Sequence, residues 1–206
     1  MYTCANCTVH ACEKGVREGL PKNCPMNKTD HLTGILKNYM EPETNRFSLM
    51  AASMEAEGYG VWPRLKEIIE FCKRMGYQKV GMAFCGGLKE EARIVADIFR
   101  KHGINLISVI CKVGGFDKSE IGMNDSHKVH PGGFEPMCNP ITQAELLNQE
   151  GTEFNIILGL CVGHDSLFMA NSKALCTTLV VKDRALGHNP CAAIYTAHSY
   201  SRFKLE

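Results

Sequence analysis

The chain has 206 residues, 45% of them hydrophobic, which is enough to bury the core of one domain with an appendage. Its 23 Lys and Arg residues nearly balance its 22 Asp and Glu residues, which argues against a general nucleic-acid-binding protein. No stretch reaches the ~20 apolar residues of a membrane-spanning helix, and the N-terminus has no apolar signal-peptide core. We therefore expect a cytoplasmic protein whose eleven cysteines stay reduced and bind metal or take part in catalysis.

The first 28 residues are polar and cysteine-rich, and they lack the period of a helix or a strand. Four cysteines in this segment, Cys4, Cys7, Cys12 and Cys24, are close enough in sequence to surround one soft metal ion or cluster. We interpret residues 1–28 as a metal-binding segment and residues 29–206 as the main domain. The spacing is that of neither a standard zinc ribbon nor a standard ferredoxin, so zinc and iron–sulfur both stay open.

The main domain begins with helices and continues with alternating strands and helices. Helices are predicted over 29–40, 45–58, Trp62–Met75, Leu88–His102, Thr142–Gln149 and Asp165–Ala174, and from Pro190. Strands are predicted over Lys79–Cys85, Asn105–Cys111, Asn155–Cys161 and Thr177–Val181. Strands that are apolar along their whole length indicate a sheet covered on both faces. The predicted fold is therefore α/β, a doubly wound and mostly parallel sheet of about four strands.

The segment 112–141 has no predicted element and is long for a connection inside a compact domain. It is rich in glycine and carries His127, His130 and Cys138. Because long loops are often functional, we interpret it as a lid or a site-forming loop. A disordered excursion, or a short helix that the pattern does not reveal, is the alternative.

Three of the predicted strands end on a cysteine: Cys85, Cys111 and Cys161. Open parallel sheets bind ligands at the carboxyl ends of their strands, and neighbouring strands lie only about 4.8 Å apart. These thiols are therefore expected to converge on one metal centre, with Cys138 of the long loop as a further ligand. The alternative is that they are small thiols that pack in the core.

Polar side chains follow the third and fourth predicted strands. His164 and Asp165 come after the third, and Lys182, Arg184 and His188 come after the fourth. Histidine can move protons near neutral pH or bind metal, and the two cations can hold an anionic substrate. His164, Asp165, Arg184 and His188 are therefore the catalytic candidates. The alternative for each is a solvated loop side chain.

Four motifs together resemble a known family: Cys4-x-x-Cys7 with Cys24-Pro25, Met137-Cys-Asn-Pro140, Gly159-Leu-Cys161-Val-Gly-His164-Asp165, and Lys182-Asp-Arg184 with Gly187-His-Asn-Pro190. The resemblance covers nearly the whole chain. It is to a domain-of-unknown-function family of small cysteine-rich prokaryotic proteins, often labelled only as metal-binding. It implies a bound metal and nothing about a substrate. In broad plan the chain is also similar to small iron–sulfur desulfidases, which hold a cluster with three cysteines and leave one iron open.

Three functional hypotheses follow. The favoured one is a redox or sulfur-handling protein with a 4Fe-4S cluster at the strand ends, acting on a small-molecule substrate or an electron-transfer partner. The second is a zinc-stabilised binding protein for a small anion or a partner, without catalysis. The third is metal-free thiol redox chemistry or sulfur carriage through Cys85 or Cys161. The strand-end cysteines favour the first, because a purely structural zinc module does not require them.

Overall fold

A computed structural model describes residues 1–198, and its contacts divide the chain into two compact units, Met1–Tyr59 and a unit from Gly60 onward. The first unit contains three short 3₁₀ helices in its cysteine-rich segment, then the helices α1 (Thr29–Leu36) and α2 (Pro42–Gly58). A 3₁₀ helix over Lys37–Met40 lies between them, so the predicted helix over 29–40 changes form after Leu36. In the described part of the chain, no helix is both long and apolar enough to cross a bilayer.

The second unit has the predicted α/β fold, with one parallel sheet of four strands. Its elements in chain order are α3 (Arg64–Met75), β1 (Lys79–Phe84), α4 (Lys89–Lys101), β2 (Asn105–Ile110), α5 (Pro140–Gln149), β3 (Phe154–Leu158), α6 (His164–Asn171), β4 (Leu175–Val180) and α7 (Cys191–Thr196). The strand order is β2-β1-β3-β4, so the direction of winding reverses after β2. Such a reversal opens a crevice at the carboxyl edge of the sheet, where open α/β sheets bind ligands.

The two central strands explain why the sequence shows unbroken apolar runs. All five residues of β3 are buried, as are four consecutive residues of β1, because helices cover both faces of a parallel sheet. The polar exception is Asn155, whose side-chain amide donates to Ser172 Oγ at 2.8 Å. On the neighbouring strand Gly81 leaves room for it, since a Cβ there would lie 1.9 Å from Asn155 Oδ1.

Some predicted helix ends shift by one to three residues for local reasons. Helix α3 begins at Arg64 because Pro63 occupies its N-cap. Helix α5 begins at Pro140, before the predicted capping box at Thr142, because Asn139 is the N-cap and accepts the Thr142 N–H at 3.2 Å. Helix α7 follows Pro190, which is its N-cap rather than its first residue.

The third strand ends at Leu158, three residues before its predicted end at Cys161. Gly159 has a positive φ of 71°, and the Leu88 side chain occupies the space in which a Cβ of this residue would lie. The chain therefore leaves the sheet at Gly159, and Cys161 lies in the following loop rather than at a strand end.

The long connection between β2 and α5 contains structure of its own. Short 3₁₀ helices cover Lys118–Ile121 and Asp125–His127, and an antiparallel bridge pairs Asp117 with Pro136. The Lys128 ammonium, whose side chain is 8% exposed, lies 3.0 Å from Asp117 Oδ1. Internal ion pairs and hydrogen bonds therefore shape this segment, and its end leads directly into α5.

We expect Gly159→Ala to lower the free energy of unfolding more than Gly103→Ala does. Both glycines have a positive φ, 71° and 75°, so the left-handed backbone costs about 1 kcal/mol for alanine at either position. At Gly159 the new Cβ would also meet Leu88 Cδ1 at 2.1 Å, and relieving this overlap adds roughly 1–3 kcal/mol. Urea unfolding of the two variants measures the difference. Equal losses would show that Leu88 does not constrain this turn.

Candidate functional site

Three cysteines from three separate segments meet at the carboxyl edge of the sheet. Cys85 directly follows β1, Cys111 directly follows β2, and Cys138 precedes the N-cap of α5. The Sγ atoms of Cys111 and Cys138 are 3.9 Å apart, and Cys85 lies near enough to Cys111 for each thiol to affect the pKa of the other. We call Cys85, Cys111 and Cys138 the thiol triad.

Backbone hydrogen bonds hold the thiol triad in register with the sheet. The N–H of Cys85 donates to the carbonyl of the last residue of β3 at 3.1 Å. The N–H of Cys111 donates to the carbonyl of the last residue of β1 at 2.8 Å. The N–H of Asn139 donates to the Cys111 carbonyl at 2.8 Å, which fastens Cys138 to the end of β2. The positions of all three thiols therefore follow from the pairing of the strands.

The thiol triad lies at the boundary of the apolar core. Cys85 is 7% and Cys111 2% exposed, and half-buried Cys138 packs against the same core. The other buried members of this core group are apolar: Ala83, Ala144, Leu147, Ile157, Leu160 and Phe168. A negative charge on sulfur in such surroundings needs nearby donors or cations.

Each thiol of the triad receives an N–H donor. The Gly86 N–H donates to Cys111 Sγ at 3.3 Å, the Lys112 ammonium donates to Cys138 Sγ at 3.4 Å, and Cys85 accepts a backbone hydrogen bond from Gly87. The absence of a side chain at Gly87 leaves space for the Lys182 ammonium, which would lie 3.2 Å from a Cβ there.

These contacts give the three thiols different pKa values. The hydrogen bond with Cys111 lowers the pKa of Cys85 to about 5 against the effect of burial, and Gly87 and Lys182 contribute. The hydrogen bond with Cys111 is also the main cause that lowers the pKa of Cys138 to about 5. The pKa of Cys111 is raised, because its thiol is hydrogen-bonded to Cys138 and to Cys85 and because it is buried. In the metal-free protein, Cys85 and Cys138 are therefore more acidic than an ordinary thiol, and Cys111 is less acidic.

Cys161 is linked to the same edge of the sheet by a hydrogen bond from an arginine. It lies in the loop after β3, half-buried, and the Arg184 guanidinium donates to its Sγ at 3.1 Å. This hydrogen bond is the first cause that raises the pKa of Arg184, and the charges of Cys85 and Cys138 act in the same direction. Arg184 therefore connects Cys161 electrostatically with the thiol triad.

The predicted acid–base residues differ in their surroundings. His164 is the first residue of α6, and its Nδ1 atom is buried without a hydrogen-bond partner in the described part of the chain. Asp165 follows it, and its Oδ1 accepts the Ser166 N–H at 2.8 Å. Both backbone N–H groups, of His164 and of Asp165, donate to the Cys161 carbonyl. The start of α6 is thus tied to the loop that carries Cys161.

His188 is part of the turn that follows β4. Its Nδ1 accepts the Asp183 N–H at 3.1 Å, and its own backbone N–H donates to the Asp183 carbonyl at 2.8 Å. Its φ is 67°, a left-handed conformation that is costly for a residue other than glycine. Because Nδ1 is an acceptor here, the neutral ring carries its proton on Nε2.

The N-terminal cysteines lie in the first unit, where Cys4, Cys7, Cys12 and Cys24 line a cavity of about 80 Å³. Most of the other lining residues are apolar, and His10 also contributes. Throughout residues 1–198, no three His, Cys, Asp or Glu side chains are gathered as closely as the ligands of one bound ion. The cysteines of either group would therefore have to draw closer together to hold a metal.

Two contributors to the site were not predicted from the sequence. Lys112 directly follows Cys111, and this adjacency was a usable signal for a cation beside the thiols. Gln143 is fully buried on α5 and donates to the Phe84 carbonyl at 3.3 Å and to the Val109 carbonyl at 2.7 Å. These partners are distant in sequence, so no local pattern reveals the role of Gln143.

We expect the alkylation rate of Cys138 in the reduced, metal-free protein to change less than about twofold between pH 6.5 and 8.5, because a pKa of about 5 keeps it a thiolate throughout. An ordinary thiol would become roughly 50-fold more reactive over this range. Cys111→Ala should make the alkylation rate of Cys138 strongly pH-dependent, because it removes the main cause of the low pKa of Cys138. Cys111→Ser should keep the dependence weak, because the serine hydroxyl is still a hydrogen-bond donor. Peptide mapping after iodoacetamide measures the rates. A steep profile in the unmodified protein would contradict the assigned hydrogen bond.

Comparison with known proteins places the chain in a family. A family model described as "Protein of unknown function (DUF1847)" matches residues 24–179, a range that contains the thiol triad and Cys161. "Uncharacterized protein MJ0455" of Methanocaldococcus jannaschii is 46% identical over 195 residues, which cover 95% of this chain and 94% of the relative. These matches confirm the resemblance to a domain-of-unknown-function family. The chain belongs to the DUF1847 family.

Proposed function

We propose that this protein binds a thiophilic metal centre through the thiol triad, and that an iron–sulfur cluster is the favoured centre. The observation that carries the proposal is the meeting of three cysteines from three separate segments, each with an N–H donor on its sulfur, at the ligand-binding edge of a parallel sheet. The thiolate is the form of cysteine that ligates metal, and these donors stabilise it.

A core-packing role explains the thiol triad less well, as a comparison with Cys72 illustrates. Cys72 is fully buried on α3, and burial alone raises its pKa to about 12, so it stays a protonated packing group. The pKa values of Cys85 and Cys138 move in the opposite direction because donors and cations surround them. The two environments have opposite consequences for metal ligation, since a bound metal requires deprotonated sulfur.

Several features of the surroundings suit an iron–sulfur cluster. All the sulfur-bearing side chains at this edge are soft ligands, which suit zinc and iron–sulfur centres. Hydrogen bonds to sulfur and an apolar shell are the means by which proteins set the reduction potential of such clusters, and both are present here. Half-buried Cys161 and exposed Arg184 lie beside the triad. A centre there would take part in redox or sulfur-handling chemistry on a small anionic substrate that Arg184 could hold.

One distance favours a single zinc ion as the second candidate. Two sulfurs bound tetrahedrally at ~2.3 Å from one ion are about 3.8 Å apart. The Cys111–Cys138 separation of 3.9 Å is close to this value. In that case the protein would be a zinc-stabilised binding protein for a small anion. The low pKa of Cys85 and of Cys138 would also suit metal-free thiol redox chemistry, which the metal content distinguishes.

The four N-terminal cysteines are proposed as a separate metal site. Their cavity offers sulfur ligands among mostly apolar side chains. In the cysteine-rich segment that contains them, Ala11 is the buried hydrophobic residue, so the segment has little core of its own. Closed sites with four cysteines are usually structural, and a metal there would supply the folding free energy that this segment lacks.

Metal analysis of the full chain, purified without oxygen, tests the proposal for the thiol triad. We expect about four irons with matching acid-labile sulfide from one cluster at the triad, with broad absorbance around 400 nm. Replacing Cys85 or Cys138 with alanine should remove this iron, whereas Cys72→Ala should keep it. A colourless protein that contains zinc lost on the same replacements would establish the zinc alternative. A metal content that triad replacements leave unchanged would contradict both.

The N-terminal site requires its own variants. We expect Cys4→Ser and Cys24→Ser to remove metal from the first unit and to make residues 1–28 accessible to protease, because the metal is the main cross-link there. The iron and absorbance of the thiol triad should stay unchanged in both. Limited proteolysis with metal analysis measures the effect. A full metal content in these variants would show that the four cysteines do not form a site.

A further inference from the structure

We infer that His164 is the fourth ligand of the metal centre at the thiol triad, which therefore has three cysteine sulfurs and one imidazole nitrogen. The inference rests on the proposed function and deepens it by naming the complete ligand set. It also changes the role expected for His164, from moving protons to holding the metal.

The first observation is the unsatisfied nitrogen of His164. Its Nδ1 atom is buried, and none of the residues 1–198 hydrogen-bonds to it. Buried polar atoms in folded proteins are almost always paired, and an unpaired one is a position where a water or an ion can bind. A neutral imidazole nitrogen with a free lone pair is a common metal ligand in proteins.

The second observation is the position of His164 on α6. Phe168, one helical turn further on, is fully buried in the core group that contains Cys85 and Cys111. Residues four apart share one face of a helix, so His164 lies on the face that α6 turns towards the thiol triad. The two side chains are near enough that a charge on His164 would act on the Cys138 thiol. The backbone hydrogen bond from His164 to the Cys161 carbonyl, 3.0 Å, fixes the start of the helix.

The other candidates for a fourth ligand already have partners. The Cys161 sulfur is bound by the Arg184 guanidinium at 3.1 Å, and an ion there would have to displace this contact. Nδ1 of His188 accepts the Asp183 N–H within its turn. His164 can therefore ligate without breaking a hydrogen bond of the described structure at Nδ1.

Charge also favours a histidine at this position. Three cysteines with one histidine are an established ligand set for a thiophilic ion. A neutral imidazole leaves one negative charge fewer than a fourth thiolate would. Burying net charge beside the apolar residues of this core group is costly, so the neutral ligand is the better match. Cys161 and Arg184 then stay available to a substrate.

Cobalt(II) spectroscopy on the full chain tests the inference. The background is a Cys4→Ser, Cys24→Ser variant, which removes the N-terminal site so that the spectrum reports the thiol triad. We expect d–d bands of a tetrahedral ion with three sulfurs and one nitrogen. His164→Ala should weaken cobalt binding roughly 10–100-fold or more, because ligand loss costs at least as much as loss of a supporting group. His164→Cys should restore binding and add thiolate-to-cobalt charge-transfer intensity.

The matched control is His31→Ala, a replacement of an exposed histidine on α1, which should leave both the affinity and the band energies unchanged. If His164→Ala binds cobalt as tightly as the background variant with the same spectrum, His164 is not a ligand and the inference fails while the triad centre stands. If Cys161→Ser instead removes the binding, the fourth ligand is Cys161, and the inference fails in the same way. If the background variant binds no cobalt, and Cys85→Ala also leaves the iron and sulfide content of the purified chain unchanged, the proposed function fails together with the inference.

Discussion

The buried side-chain amide of Gln143 joins the carboxyl ends of β1 and β2, and the geometry of the thiol triad depends on this connection. The amide donates to the Phe84 carbonyl and to the Val109 carbonyl, one from each strand, close to the point where both strands end in a cysteine. The third cysteine immediately precedes the N-cap of α5, the helix that carries Gln143. Helix α5 therefore ties the ends of both strands to the segment that carries Cys138, in addition to the pairing of the strands.

The strand-end positions of Cys85 and Cys111 were predictable because burial on both faces leaves an unbroken apolar run in the sequence. The same reasoning placed Cys161 at a strand end and was wrong there. The chain leaves the strand at Gly159, whose φ is positive, and Leu88, 71 positions earlier in the chain, fills the space that a side chain there would need. A run of apolar letters does not reveal a contact of this kind, since it depends on how a distant helix start packs against the sheet.

The placement of Cys138 shows a second limit of sequence reasoning. Its loop was predicted to form part of the site because of its length, and the structure brings Cys138 to Cys111. The forces that shape the loop are ion pairs between residues far apart along the chain, such as Lys128 with Asp117 and Lys118 with Glu135. Their partners can be identified only after the loop has closed. The length and composition of such a loop can therefore indicate that it forms part of a site, but not which of its residues lie at the edge of the sheet.

The balance of charge at the sheet edge connects the metal proposal with a class of substrate. Without metal, Lys112 and Lys182 stabilise the thiolates of Cys138 and Cys85. In the zinc alternative, a divalent ion would displace the proton from Cys111, because bound sulfur must be deprotonated. Three thiolates and a neutral imidazole would then leave a single negative charge on the centre, which the two ammonium groups outweigh. The edge would stay positive beside exposed Arg184, and a crevice of that sign concentrates small anions rather than cations.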